Sequence, residues 1–184
     1  QVFVGGNGRM GAFPARPLTV QYANGHTPYG PIVAGPEGVQ YFTLRQRWDP
    51  GAKYLPASRD KLRKGNQRSR IKGGLDVSTE AERQARTGVG VETVVPPEAD
   101  GLAAWLYRLA PVSKAPLPAP STGGGQYLIN VDGSLIFAGQ SLGPLSTVFL
   151  SPEEPAATIS AGSDGGDVLV LQFPRLGSEP HRGS

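Results

Sequence analysis

The stretch GSLIFAGQSLGPLSTVFLSPEEPAATISAGSDGGDVLVLQF, residues 133–173, alternates short apolar blocks with clusters of Gly, Pro, Ser and acidic residues. Four of its blocks, 134–138, 147–150, 157–159 and 167–173, have strand length and are rich in β-branched and aromatic residues. No apolar repeat of helical period runs through them, so the stretch reads as consecutive β-strands joined by turns.

The same reading extends upstream. A strand at 126–131 precedes Asp132-Gly133, a pair that readily takes the positive φ angles of a type I′ turn, so a hairpin is expected there. Further strands are expected at 89–95 and 103–109. Near the start, strands at 1–4, 17–22, 31–34 and 38–47 are separated by Gly5-Gly6-Asn7-Gly8, Asn24-Gly25 and Gly35-Pro36-Glu37-Gly38. About eleven short strands imply an all-β barrel or jelly roll, in which closure removes exposed edges. The Gly (26) and Pro (18) content of the 184-residue chain then belongs to turns. One domain over 1–175 with a polar tail at 176–184 is the expected organisation.

Residues 48–88 break the pattern: they are polar, basic and short of apolar periodicity, a loop excursion from the β-domain. From Arg45 to Lys72 there are ten Lys and Arg against two Asp, a local net of +8 in a chain whose whole net charge is +3. Residues 78–86 form the one expected helix, capped by Ser78 or Thr79, with acids in its first turn and arginines near its end where the dipole favours them. Residues 111–125 are Pro-rich and then Gly-rich, an expected extended and exposed connector.

With no Cys, disulfides, thiolate metal sites and Cys nucleophiles are excluded, which suits the cytoplasm. No apolar run reaches the length of a membrane span, and no membrane role is expected. A start at Gln1 with a single Met, Met10, suggests a trimmed or processed chain.

Residues 133–173 resemble the second conserved block of the cupin family. There a strand and a Gly turn lead to a strand ending in Pro, then a short loop, a further strand, a Gly-rich turn and an apolar last strand. Val148-Phe149-Leu150-Ser151-Pro152 takes the place of the Pro-ended strand, and Ser163-Asp164-Gly165-Gly166 that of the last turn. The resemblance covers about a quarter of the chain and implies a cupin-like jelly-roll β-barrel with a binding cavity. It departs from the family where the metal site is concerned. The family's Gly two places after the Pro, and its metal-binding His three further on, are Glu154 and Ala157 here. The His-X-His motif has no counterpart, and the only histidines are His26 and His181. No metal and no cofactor are expected.

Gly6-Asn7-Gly8-Arg9-Met10-Gly11 matches the dinucleotide fingerprint in letters, but Pro14 and Pro17 forbid the helix that the fingerprint requires. Period-2 alternation through residues 41–48 puts Tyr41, Thr43, Arg45 and Arg47 on one face, a polar pocket wall on which Arg45 could hold a carboxylate with two hydrogen bonds. Tyr107 shares an aromatic face with Trp105 and joins the ligand-binding candidates; core packing is the competing reading. His26 and Glu37, each beside a turn, are the candidate acid and base. Glu153 and Glu154 are adjacent, so a strand would send them to opposite faces.

These residues support a cupin-like domain that holds a small, anionic ligand in its barrel without a metal, as part of a homodimer joined through sheet edges. The competing readings are an isomerase or lyase acting through His26 and Glu37, and an interaction protein using the basic segment 45–72. Nucleic acid is not the expected partner of that segment, because only Trp48 and Tyr54 offer stacking surfaces within it.

Overall fold

The computed structural model describes residues 1–48, 51–63, 65 and 67–177. Among the described residues the chain is all-β apart from one short α-helix and two single-turn 3-10 helices, as its strand and turn pattern predicts. Where the sequence counts the strands of residues 1–175 into one domain, the hydrogen bonding distributes them over two sheets. Each sheet belongs to its own compact unit, one over Gln1–Gly74 and the other over Leu75–Leu176.

The first unit holds β1 (Val2–Met10), β2 (Phe13–Ala15), β3 (Val20–Ala23), β4 (Ile32–Phe42) and β5 (Ser69–Lys72). They form an antiparallel sheet in the order β2-β1-β3-β5, with β4 also paired to β1. Phe3, Met10 and Ala15 are its buried centre, and Ile32, Val39 and Ile71 pack against them. The strands expected at 31–34 and 38–47 are one strand that ends at Phe42, because pairing with β1 carries the backbone across Gly35-Pro36-Glu37-Gly38 through register shifts. Gly6 and Gly8 lie within β1, where an added Cβ would stand 2.2 Å from the Gly38 oxygen and 2.3 Å from the Val33 oxygen. These glycines permit two strands to approach, and no helix follows them. The basic excursion is also narrower than expected. Its residues 69–72 are β5, in register with β3 from Val20↔Lys72 to Ala23↔Ser69.

The second unit begins with α1 (Glu80–Ala85) and continues with β6 (Val89–Val95), β7 (Ala103–Leu109), β8 (Lys114–Pro116), β9 (Gln126–Phe137), β10 (Gln140–Leu142), β11 (Thr147–Leu150) and β12 (Thr158–Gln172). Its sheet runs β10-β9-β12-β7-β6, with β11 beside β9 and β8 beside β12. The two long strands are each used twice. Residues 126–133 of β9 and 166–172 of β12 pair with each other and with β11 and β7; residues 135–137 and 158–161 pair among themselves and with β10 and β8. Between these stretches the register breaks, and residues 162–165 of β12 stand against Ser134 alone.

One apolar core joins both halves of this curled sheet. Tyr107, Leu109, Leu128, Leu150, Val168 and Val170 come from one half, and Ala115, Leu117, Leu135, Ile159 and Ala161 from the other. A sheet that folds back and buries its own inner face is the arrangement expected of a jelly roll.

Three local expectations change here. Asp132-Gly133 is not a hairpin turn: both residues lie inside β9, paired to Asp167 and Gly166, and the positive φ of Gly133 (75°) serves the bend. The two-residue hairpin is at Ala138-Gly139, both with positive φ (48° and 78°), between the paired Phe137 and Gln140. The connector at 111–125 is packed rather than exposed, because an extended Pro-rich backbone can serve as an edge strand. Ala115 and Leu117 within it enter the core.

The helix falls within the expected span, with Thr79 as its N-cap. The Thr79 N–H donates to Glu82 Oε2 (2.7 Å), and the Glu82 N–H donates to Thr79 Oγ1 (3.3 Å), a reciprocal capping box. Residues 178–184 of the expected tail, His181 included, lie outside the described residues.

Candidate binding face and the arginine–aspartate cluster

The residues singled out by sequence are divided between the two units. In the first, His26 has a positive φ (61°) and is exposed; its Nδ1 accepts a hydrogen bond from the Arg63 N–H (3.2 Å). Glu37 is exposed and its Oε2 accepts from Asn7 Nδ2 (3.5 Å), so the candidate acid and base each engage a different neighbour. Tyr41 is exposed on β4, with its ring 5.3 Å from that of Phe3. Thr43, Arg45 and Arg47 follow after β4 has ended at Phe42, with Gln46 and Arg47 in a bend, and Arg45 is half-buried while Thr43 and Arg47 are exposed. The strand face expected to align all four therefore stops after Tyr41. Tyr107 belongs to the second unit, where it is buried in the core; burial raises its phenol pKa.

The inner face of the second unit can be followed in rows across the sheet, since directly paired residues share a face. One row is Trp105–Val170–Leu128–Val148; a second is Tyr107–Val168–Asn130; a third is Ala103–Gln172–Gln126–Leu150. Polar residues thus stand among apolar ones on the core side, and both Gln126 and Asn130 are fully buried. Asn130 Nδ2 donates to the carbonyls of Gly133 (3.0 Å) and Leu142 (2.9 Å). Gln126 Nε2 donates to the Pro118 carbonyl (2.9 Å) and to Gln172 Oε1 (2.8 Å), while Gln172 Nε2 donates to the Gly101 carbonyl (2.6 Å). The amide nitrogens thus tie loops to the sheet. Gln126 Oε1 and Asn130 Oδ1 meet no donor among the described residues. A buried acceptor without a partner costs about 1–3 kcal/mol, so each oxygen is a place where a donor is favoured. At the margin of this core, Trp105, Phe137, Leu142 and Val148 are only partly buried.

The sequence missed these amides because a polar residue at every fourth strand position reads as a solvent-side residue. The available signal was the i, i+2, i+4 spacing of Gln126, Leu128 and Asn130, which puts both amides on the face of a core Leu.

On the other face lies a charged cluster. Asp167 is 0% exposed and accepts from the Ser78 N–H (2.9 Å), Arg108 Nη1 (2.9 Å) and Arg86 Nη1 (3.1 Å). Arg86 Nη2 and Arg108 Nη1 both donate to Ser78 Oγ, at 2.7 Å and 2.9 Å. Arg83, only 6% exposed, is paired with Asp132 and donates to the Ser78 carbonyl (2.8 Å). The sequence assigned the arginines near the helix end to the helix dipole. Instead Arg83 and Arg86 reach from α1 and its C-cap to the sheet and fasten the helix across the bend of β9 and β12. Each carboxylate and guanidinium is met by protein groups, so this cluster holds structure together and offers no open anion site.

Among the described residues, no group of three or more His, Cys, Asp or Glu side chains converges as a metal site. No helix among them is long and apolar enough to cross a membrane.

No family model and no curated protein matches the chain. Among solved structures it is similar to a structural-genomics protein of unknown function from Rhizobium leguminosarum, with 16% identity over 56% of this chain and 100% of that one, at a TM-score of 0.36. It is also similar to the Cupin_2 domain of an XRE family transcriptional regulator from Enterobacter cloacae, with 16% identity over 48% of this chain and 100% of that one, at a TM-score of 0.37.

Proposed function

We propose that the second unit binds a small, largely apolar molecule bearing a hydrogen-bond donor against its inner face, using aromatic and amide side chains rather than a metal. The observation that carries this reading is the pair of buried amide oxygens, Gln126 Oε1 and Asn130 Oδ1, unmatched on a face otherwise made, Gln172 apart, of apolar and aromatic side chains. Apolar walls with a few polar groups are the usual composition of a small-molecule site. The partly buried Trp105, Phe137, Leu142 and Val148 supply its margin, and Tyr107 is the sequence candidate that the reading retains.

The test uses a Trp48→Phe background, in which Trp105 is the remaining tryptophan. Anilinonaphthalenesulfonate, an aromatic secondary amine, serves as the probe, and quenching of Trp105 is the readout. Saturable binding is expected, weakened about fivefold by Gln126→Met through loss of one hydrogen bond and obstructed by Leu142→Phe at the margin. If the probe binds equally to wild type and to both variants, all with the same circular dichroism, the reading fails. A stoichiometric transition metal in the purified protein would also overturn it.

A further inference from the structure

The segment from Arg47 to Lys72 carries the chain's excess positive charge and its two most exposed large aromatic side chains. Arg47, Lys53, Arg59, Lys61, Arg63 and Lys72 are all exposed. Trp48 is 86% exposed and Tyr54 77%, more than any other large apolar residue described. In a soluble chain a single exposed apolar residue is ordinary, but both aromatics of one short segment facing outward among cations is a particular combination. The sequence alone weighed against nucleic acid because only these two aromatics were available. Their outward placement changes that weighing, since an aromatic ring contributes to stacking only if a base can reach it.

We infer that this segment is a binding surface for single-stranded nucleic acid, in which the exposed Lys and Arg contact phosphates and Trp48 and Tyr54 stack on unpaired bases. The preference for a single strand follows from two features. Stacking on an exposed ring requires a base free of its duplex partner. The segment's only helical turn among the described residues is the three-residue Arg59–Lys61, too short to lie in a major groove and read a duplex. Two acids, Asp49 and Asp60, stand against nine Lys and Arg in the sequence of the segment, so attraction of phosphate outweighs repulsion. Because every base presents a π-face and the cations meet only the backbone, the surface has little sequence preference.

The experiment is fluorescence anisotropy of the whole chain with a labelled oligo(dT) of about 20 nucleotides and with a duplex of equal length, over a series of NaCl concentrations. The single strand is expected to bind more tightly, with log K falling against log salt at a slope of about −3, the value for four to five phosphate contacts on single strands. Replacing Lys53, Arg59, Lys61 and Arg63 together by Gln is expected to weaken binding more than tenfold at about 50 mM salt and to flatten that slope. Trp48→Ala with Tyr54→Ala is expected to weaken binding about fivefold or more while leaving the slope unchanged, which a purely electrostatic surface would not do. All substitutions are at exposed positions, and circular dichroism verifies the fold. No binding to oligo(dT) at about 50 mM salt overturns the inference. Equal affinity for duplex or heparin, with no effect of the aromatic variants, overturns it too and leaves a general polyanion surface.

Discussion

Asp132 of β9 and Asp167 of β12 stand directly opposite each other as paired residues of neighbouring strands. Like charges in that relationship repel, and the chain resolves the repulsion with three arginines: Arg83 takes Asp132, while Arg86 and Arg108 share Asp167. The two carboxylates are unequal, since the side chain of Asp132 is 36% exposed and that of Asp167 is fully buried. Replacing Asp167 by Ala leaves Arg86 and Arg108 without their shared counter-charge and should destabilise the second unit by about 3–5 kcal/mol. Asp132→Asn should cost less, about 1–3 kcal/mol, because the amide oxygen can still accept from the buried Arg83 and the repulsion with Asp167 is removed. Urea unfolding followed by Trp105 fluorescence in a Trp48→Phe background measures both.

Gly133 and Gly139 share positive φ angles, 75° and 78°, but differ in surroundings. A Cβ on Gly133 would lie 2.3 Å from the Gly165 oxygen, whereas nothing stands within 4 Å of one on Gly139. Gly139→Ala should therefore cost only the backbone strain, about 1 kcal/mol, and Gly133→Ala distinctly more, since the facing strand has to shift. Equal unfolding midpoints for the two variants would show that β9 does not bend against β12 at Gly133.

Thr79 caps α1, and its backbone and side-chain hydrogen bonds hold the Glu82 carboxyl below its ordinary pKa. Thr79→Ala keeps the backbone N–H that contributes most and removes only the hydroxyl, so the Glu82 carboxyl should rise part of the way towards its usual range in an NMR titration, with about 1 kcal/mol of stability lost with the cap.

What was legible in the sequence was local. Strands 89–95, 103–109 and 147–150 and the capped helix declare themselves by composition and by residues within a few positions of one another. What escaped was decided by partners far along the chain. Asp132-Gly133 carries a strong hairpin signal, yet pairing with Asp167 and Gly166 keeps it inside a strand. Gly35-Pro36-Glu37-Gly38 looks like a turn, yet β1 draws it into β4. The candidate site divides in the same way. Tyr107 was visible as part of an aromatic face, while the significance of Gln126 and Asn130 depends on what lies across from them, which no window of sequence displays.

The double use of β9 and β12 has a mechanical consequence. Neither half of the second unit's sheet owns its strands, so neither can open, slip by a residue or be cut away without dismantling the other. Such a unit should lose its structure in one step, and its formation must wait for two segments some thirty residues apart to find each other, which makes it slow to assemble and hard to pull apart piecemeal.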